Sequence, residues 1–226
     1  MKFLIDDADI EAIKRIYEFY PIDGVTTNPS ILAKSGKKPY EALKEIRDFI
    51  GLDAELHVQV VAGEAEGMLE DAYKIVEKLG KNTYIKIPSI PEGFKAIKAL
   101  KAEKICVTAT AIYTPMQAFI AGKCGADYAA PYVNRIDNMG MNGIEVAKKI
   151  HQIFLSNNFE TKVLAASFKN SQQVLELCEH GIGAITASPD IIEGLVKNVA
   201  VTSAVEDFIA DFEMLAGQGK TMSDSL

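Results

Sequence analysis

The chain alternates from end to end between short β-prone runs and longer helical patterns, and this rhythm limits its possible folds more than any single motif. Strand-like runs fall at about 3–5, 24–26, 55–60, 83–87, 105–110, 128–132, 162–166 and 183–186. Helical periodicity fills the gaps at about 8–19, 40–49, 65–79, 92–102, 115–124, 143–157, 171–179 and 189–197. Strands alternating with helices imply βαβ units and a parallel sheet. Eight such units in 226 residues predict a closed (β/α)8 barrel, a single α/β domain over 1–226. An extra helix at about 200–216 and a polar tail would follow it, the tail being mobile or held by another subunit. A doubly wound open sheet is the rival. It usually carries a glycine-rich phosphate loop after its first strand, whereas the first turn here reads Asp6-Asp7-Ala8-Asp9 and no GxGxxG occurs.

Charge and cysteine usage narrow the function classes. A net charge of −7 with a pI near 5.1 argues against a nucleic-acid partner. No apolar run reaches membrane-spanning length, and the N-terminus lacks a signal-peptide core, so a cytoplasmic location is expected. Cys106, Cys124 and Cys178 form no CxxC, and buried reduced thiols are expected. His57, His151 and His180 lie far apart without HxH or HExxH spacing, so no metal site is expected.

Alternation within the strands sorts side chains by face. In the third, Leu56, Val58 and Val60 suit packing under helices, which leaves Glu55, His57 and Gln59 facing inward. Ile85 and Ile87 pack outward in the fourth, so Tyr84 and Lys86 face in. The fifth and sixth turn Cys106, Thr108 and Thr110, and Tyr128, Ala130 and Tyr132, to one face. Barrel chemistry gathers at the carboxyl ends of strands. There the chain places Asp6, Thr27 or Asn28, Gln59, Lys86, Thr110, Tyr132 with Arg135, and Ser167 with Lys169. Each has a structural alternative. Asp6, Thr110 and Ser167 suit helix N-caps. Gln59 could satisfy a carbonyl, Tyr132 could be a core aromatic, and Arg135 could pair with Asp137 on the surface. Together they fit catalysis better than capping, because Lys, Tyr and Gln are not N-caps.

Lys86 sets the chemistry. A lysine inside an apolar strand is pushed toward its neutral amine, which can attack a carbonyl and form a Schiff base. Tyr132 and Asp6 are candidate acid/base groups, acting through a water held by Gln59 and Thr110. Arg135, Ser167 and Lys169 could hold a substrate phosphate. The protonated imine is the electron sink, so neither metal nor cofactor is called for.

Four blocks carry a family resemblance: Gly24-Val25-Thr26-Thr27-Asn28-Pro29-Ser30, Ile85-Lys86-Ile87-Pro88, Ala130-Pro131-Tyr132-Val133-Asn134-Arg135-Ile136-Asp137 and Ala165-Ala166-Ser167-Phe168-Lys169. In their order and spacing, from Asp6 to about Phe212, the chain resembles the transaldolase family, and its short branch that includes fructose-6-phosphate aldolase. That resemblance implies a class I barrel with Lys86 as the Schiff-base lysine. It implies that Asp6, Gln59, Thr110 and Tyr132 surround the imine and a catalytic water. Asn28 would touch the dihydroxyacetone unit, and Arg135 and Ser167 the acceptor phosphate. Sugar phosphates and dihydroxyacetone are the implied small molecules, and a homo-oligomer, pentamer or decamer, the implied assembly. Transaldolases proper commonly carry Phe where this chain has Tyr132, which favours aldol cleavage over group transfer. The Ser188-Pro189 pair, by contrast, is similar to transaldolases.

Overall fold

A computed structural model describes residues 1–225. Within it the strands are β1 (Lys2–Asp6), β2 (Gly24–Thr26), β3 (Glu55–Gln59), β4 (Thr83–Pro88), β5 (Val107–Ile112), β6 (Tyr128–Pro131), β7 (Lys162–Ala165) and β8 (Ala184–Ala187). Each pairs in parallel with the next, and β8 closes on β1 through Lys2↔Ala184 to Ile5↔Ala187, so the sheet is a closed barrel. The helices are α1 (Ile10–Phe19), α2 (Pro29–Lys34), α3 (Pro39–Ile50), α4 (Ala65–Leu79), α5 (Pro91–Ala102), α6 (Pro115–Lys123), α7 (Val133–Asp137), α8 (Gly143–Ser156), α9 (Ser171–His180), α10 (Pro189–Gly194) and α11 (Val199–Ala216). Two compact units result, Met1–Ile192 holding the barrel and a second beginning at Glu193.

The strands are buried on both faces, as a parallel sheet under helices requires. Outward Ile5, Val25, Leu56, Val58, Ile85, Ile87 and Val107 are at most 2% exposed. Inward, Leu4, Tyr128, Ala130, Leu164 and Ala184 pack together with Tyr84 against them, which bears out the faces read for the fourth and sixth strands. The helices turn matching stripes to the sheet. On α4 the buried residues are Ala65, Met68, Ala72, Ile75 and Leu79, a three-and-four spacing that makes one apolar face. Each fully buried aliphatic side chain in this layer contributes about 1.5–3 kcal/mol. Gly24 lets β2 lie close against β3, since a Cβ there would sit 2.3 Å from the Glu55 carbonyl oxygen.

Local chemistry explains where the elements differ from expectation. The fifth strand starts at Val107 instead of 105 because α5 ends in a left-handed residue, Lys104 at φ 60°, and the Ile105 N–H still donates to Leu100 O at 3.0 Å. It runs on to Ile112 through Ala111, also left-handed at φ 55°, where the pairing with β6 shifts register. The cysteines are not buried as expected: Cys106 and Cys124 are half-buried and Cys178, on α9, is exposed. Helices α2 and α7 lie outside the predicted set. Pro29 occupies the first turn of α2 and the Asn28 side chain caps it, so the Asn-Pro pair starts a helix.

The second unit is mainly α11, which carries no buried residue. Asn198 caps its start by accepting from the Ala200 N–H at 2.9 Å, and the Gly217 N–H ends it on Glu213 O at 2.8 Å. A 3-10 turn, Met222–Asp224, follows. The last residue of the expected tail, Leu226, lies outside the described residues.

Candidate active site

The polar residues expected at the strand ends do gather at the carboxyl mouth of the barrel, but in two groups. Asp6, Asn28, Arg135 and Ser167 line one cavity of about 680 Å³, together with Asp7, Asp9, Ser30, Lys34 and Ser188. Lys86, Thr27, Gln59, Thr110 and Tyr132 are outside its lining. Lys169 is exposed and also outside it, and its backbone N–H donates to Gln173 Oε1 at 2.7 Å.

Lys86 is 6% exposed, and its Nζ donates to the Thr27 carbonyl oxygen at 2.7 Å. Burial pushes its pKa down; the Asp6 carboxylate opposes the shift and Arg135 reinforces it. Thr27 thus offers its main-chain oxygen, and not its side chain, to the amine. Fully buried, it spends its hydroxyl on the His57 carbonyl at 3.0 Å, and its N–H donates to the same oxygen at 2.9 Å.

Asp6 accepts from the Thr26 hydroxyl at 2.6 Å, and Thr26 lies 2.7 Å from Thr186 Oγ1. With the one Thr26 proton given to Asp6, Thr186 is the donor in the second bond. Burial raises the Asp6 pKa, while Lys86 and Thr26 pull against that rise. The first helix is capped by Asp9, whose carboxylate accepts from the Glu11 N–H at 3.0 Å, so Asp6 is free of the capping alternative. Thr114 and Asn170 likewise cap α6 and α9, which releases Thr110 and Ser167.

Tyr132 is held on three sides. Its hydroxyl is 2.8 Å from Thr110 Oγ1, Arg135 lies over its ring at 4.6 Å, and Tyr113 meets it edge-on at 5.7 Å. Asp137 instead takes the Gly143 N–H at 2.7 Å and the Gln173 amide at 2.6 Å, so these contacts, and no surface pair with Arg135, account for it. Ser167 sits at φ 62°, a conformation that costs a non-glycine residue about 1 kcal/mol or more. Its carbonyl accepts from the Asn134 N–H at 2.7 Å, which ties the β7 end to α7. Asn28 spends its side-chain oxygen on the Ile31 N–H at 3.0 Å, leaving its amide N–H groups for a ligand in the cavity.

Beside and below these residues runs a network whose inward positions follow from strand alternation, which assigns it no role. His57 is fully buried, with Nδ1 2.8 Å from Thr108 Oγ1 and Nε2 3.2 Å from Glu55. Its ring stacks on Tyr84 at 4.6 Å. Glu55 also pairs with Lys2 and accepts from the Tyr128 hydroxyl at 3.3 Å. Burial alone would raise the Glu55 pKa, but His57 and Lys2 hold it down at about 2. Burial keeps His57 neutral. Its Nε2–H then faces the carboxylate and Nδ1 accepts from Thr108.

Similarity to known proteins agrees with this geometry. The family described as transaldolase/fructose-6-phosphate aldolase matches residues 3–225. The chain belongs to that family. A probable fructose-6-phosphate aldolase of Streptococcus pneumoniae is 40% identical over 213 residues, covering 94% of this chain and 96% of that protein. A probable transaldolase of Geobacter sulfurreducens is 38% identical over 213 residues, covering 94% and 98%. Among solved structures, a mandelate racemase/muconate lactonizing enzyme-like protein from Rubrobacter xylanophilus superposes with a TM-score of 0.61 at 11% identity, over 83% of this chain and 57% of that one; it shares the fold alone. The transaldolase/fructose-6-phosphate aldolase family places the chain among class I aldolase-type enzymes of sugar-phosphate metabolism. Among the described residues, no helix is long and apolar enough to cross a membrane.

Proposed function

We propose that the protein is a class I aldolase that cleaves fructose 6-phosphate to dihydroxyacetone and glyceraldehyde 3-phosphate, and runs the reverse addition. The neutral Lys86 amine adds to the C2 carbonyl, and loss of water gives an iminium. Asp6 takes the proton of the C4 hydroxyl through a water near Gln59 and Thr110, and the C3–C4 bond breaks as its electron pair moves into the iminium. The aldehyde leaves. Tyr132 returns a proton to the enamine carbon, and water hydrolyses the resulting imine to free dihydroxyacetone and Lys86. Asn28 donates to the three-carbon unit, while Arg135 and Ser167 hold the phosphate of the departing aldehyde.

The observation that carries this reading is the Tyr132 hydroxyl held 2.8 Å from Thr110. A positioned phenol can protonate the enamine; without it, the three-carbon unit stays bound until a second aldose accepts it. The other reading, a transaldolase, is favoured by Ser188 in the cavity lining and by the transaldolase-named relatives. Incubation with fructose 6-phosphate alone, coupled to detection of glyceraldehyde 3-phosphate, separates the two. Continuous product release is expected. No release until erythrose 4-phosphate is added would establish the transferase. Borohydride trapping with dihydroxyacetone tests a third reading, a non-catalytic sugar-phosphate binder, since a mass increase on Lys86 rules that out.

A homo-oligomer in the cytoplasm completes the proposal. Its support is α11, whose Val205, Phe208, Ile209 and Leu215 are exposed. A light-scattering mass of 24.6 kDa, that of one chain, would count against assembly.

A further inference from the structure

The cavity at the barrel mouth has two unlike walls. One is the turn after β1, with Asp7 and Asp9. Their carboxylates are spent locally: Asp7 accepts from the Ala8 and Asp9 N–H groups at 2.7 and 3.0 Å, and Asp9 caps α1. The other wall is α2 and the turn beyond it. Ser30 and Lys34 are four residues apart on this helix, so both lie on one face, and both line the cavity. Lys37 lines it too, but it is paired with Glu45. Lys34 has no carboxylate partner among the described residues. Arg135, which lines the same cavity from α7, makes its contact with the Tyr132 ring.

The cavity thus receives two cations from separate elements, neither in a salt bridge among the described residues; Asp6, which lines the same cavity and feels Arg135, is hydrogen-bonded to Thr26. A carboxylate or a neutral aldehyde needs at most one of them. A phosphate monoester carries close to two negative charges near neutral pH and offers three acceptor oxygens, enough to engage a guanidinium and an ammonium together. Lysine serves such a group as a mobile point charge beside the fixed fork of arginine. We propose that Lys34 is a specificity-determining residue: with Arg135 it completes a site for a phosphate monoester dianion, and so selects phosphorylated aldehydes over unphosphorylated ones. This deepens the aldolase reading and rests on it for the identity of the ligand. Ser30 supplies a neutral donor on the same helix face.

Calorimetry on the full chain tests this with three probes: glyceraldehyde 3-phosphate, inorganic phosphate and unphosphorylated glyceraldehyde. Lys34→Ala is expected to weaken both phosphate ligands about tenfold and leave glyceraldehyde unchanged. Lys34→Arg is expected to restore most of the affinity. Lys38→Ala, outside the cavity lining, controls for the general field and is expected to match the parent. The inference is overturned if Lys34→Ala binds phosphate ligands like the parent, if it weakens the neutral aldehyde equally, if Lys38→Ala has the same effect, or if the parent binds neither phosphate ligand. Borohydride trapping of dihydroxyacetone on the same preparations keeps the two readings apart. An adduct on Lys86 with no Lys34 effect leaves the aldolase and removes this site. Lys34-dependent phosphate binding without an adduct does the reverse.

Discussion

Asp6 and Glu55 are both carboxylates turned into the barrel, two residues apart in strand register: Glu55 is level with Leu4 and anchors a lower network that reaches up to His57, while Asp6 stands beside that upper end. Burial works on both in the same direction, yet their pKa values part. Glu55 is paired with Lys2, His57 and Tyr128 and stays ionised. Asp6 has one hydroxyl donor and an amine whose own charge is suppressed, and it moves up. The lower layer is a closed account of donors and acceptors. The upper layer is left short of partners, with Gln59 and the Asn28 amide uncommitted among the described residues. A site that must bind and release substrate needs such unsatisfied groups, and it gives up stability to keep them.

This contrast predicts opposite responses to substitution. Lys86→Met should abolish turnover and the borohydride adduct, while raising the thermal midpoint, because an amine that resists burial is replaced by an apolar chain of similar length. A fall in the midpoint, measured by calorimetry, would show that Lys86 supports the fold and would blur the two layers. Next in size, Tyr132→Phe should slow cleavage about 100-fold or more and leave the adduct on Lys86 intact. Loss of the adduct, read by mass spectrometry, would place Tyr132 in imine formation instead.

Glu55→Gln should do the reverse of Lys86→Met. Breaking the buried network is expected to cost about 3 kcal/mol in urea unfolding, with the Lys86 adduct retained. The parent should show the same network in its pH dependence. The folded-state pKa of Glu55 is depressed, so its stabilisation is fully present above the ordinary carboxylate value and is lost as pH falls toward about 2. Glu55→Gln should flatten that acid limb. A parent and variant with parallel acid limbs would show that other carboxylates govern it.

Most of this arrangement was legible because period-two alternation is a hard constraint in a strand buried on both sides. It places Glu55, His57, Lys86 and Tyr128 inward from residue order alone. Alternation says nothing of distance, however: it groups Lys169 with Ser167, and only Ser167 lines the cavity. Alternation places Thr27 at the mouth of the barrel, but its bonds to the His57 carbonyl and the Lys86 amine appear only in the three-dimensional pairing. The Asn-Pro pair at 28–29 reads as a turn; its capping role hid α2, and with it the cavity wall bearing Ser30 and Lys34.

The hold on Lys86 has a consequence for sequence drift. Its acceptor is a main-chain carbonyl, and the residue that carries this carbonyl is steadied in part by a main-chain bond from its own N–H to His57 O. Neither group is encoded by a side chain. Substitution at Thr27 or His57 changes what surrounds the amine but cannot delete the atom it points to. Mutation can therefore reshape the acceptor end of this pocket while the anchor of the nucleophile passes unchanged from one variant to the next.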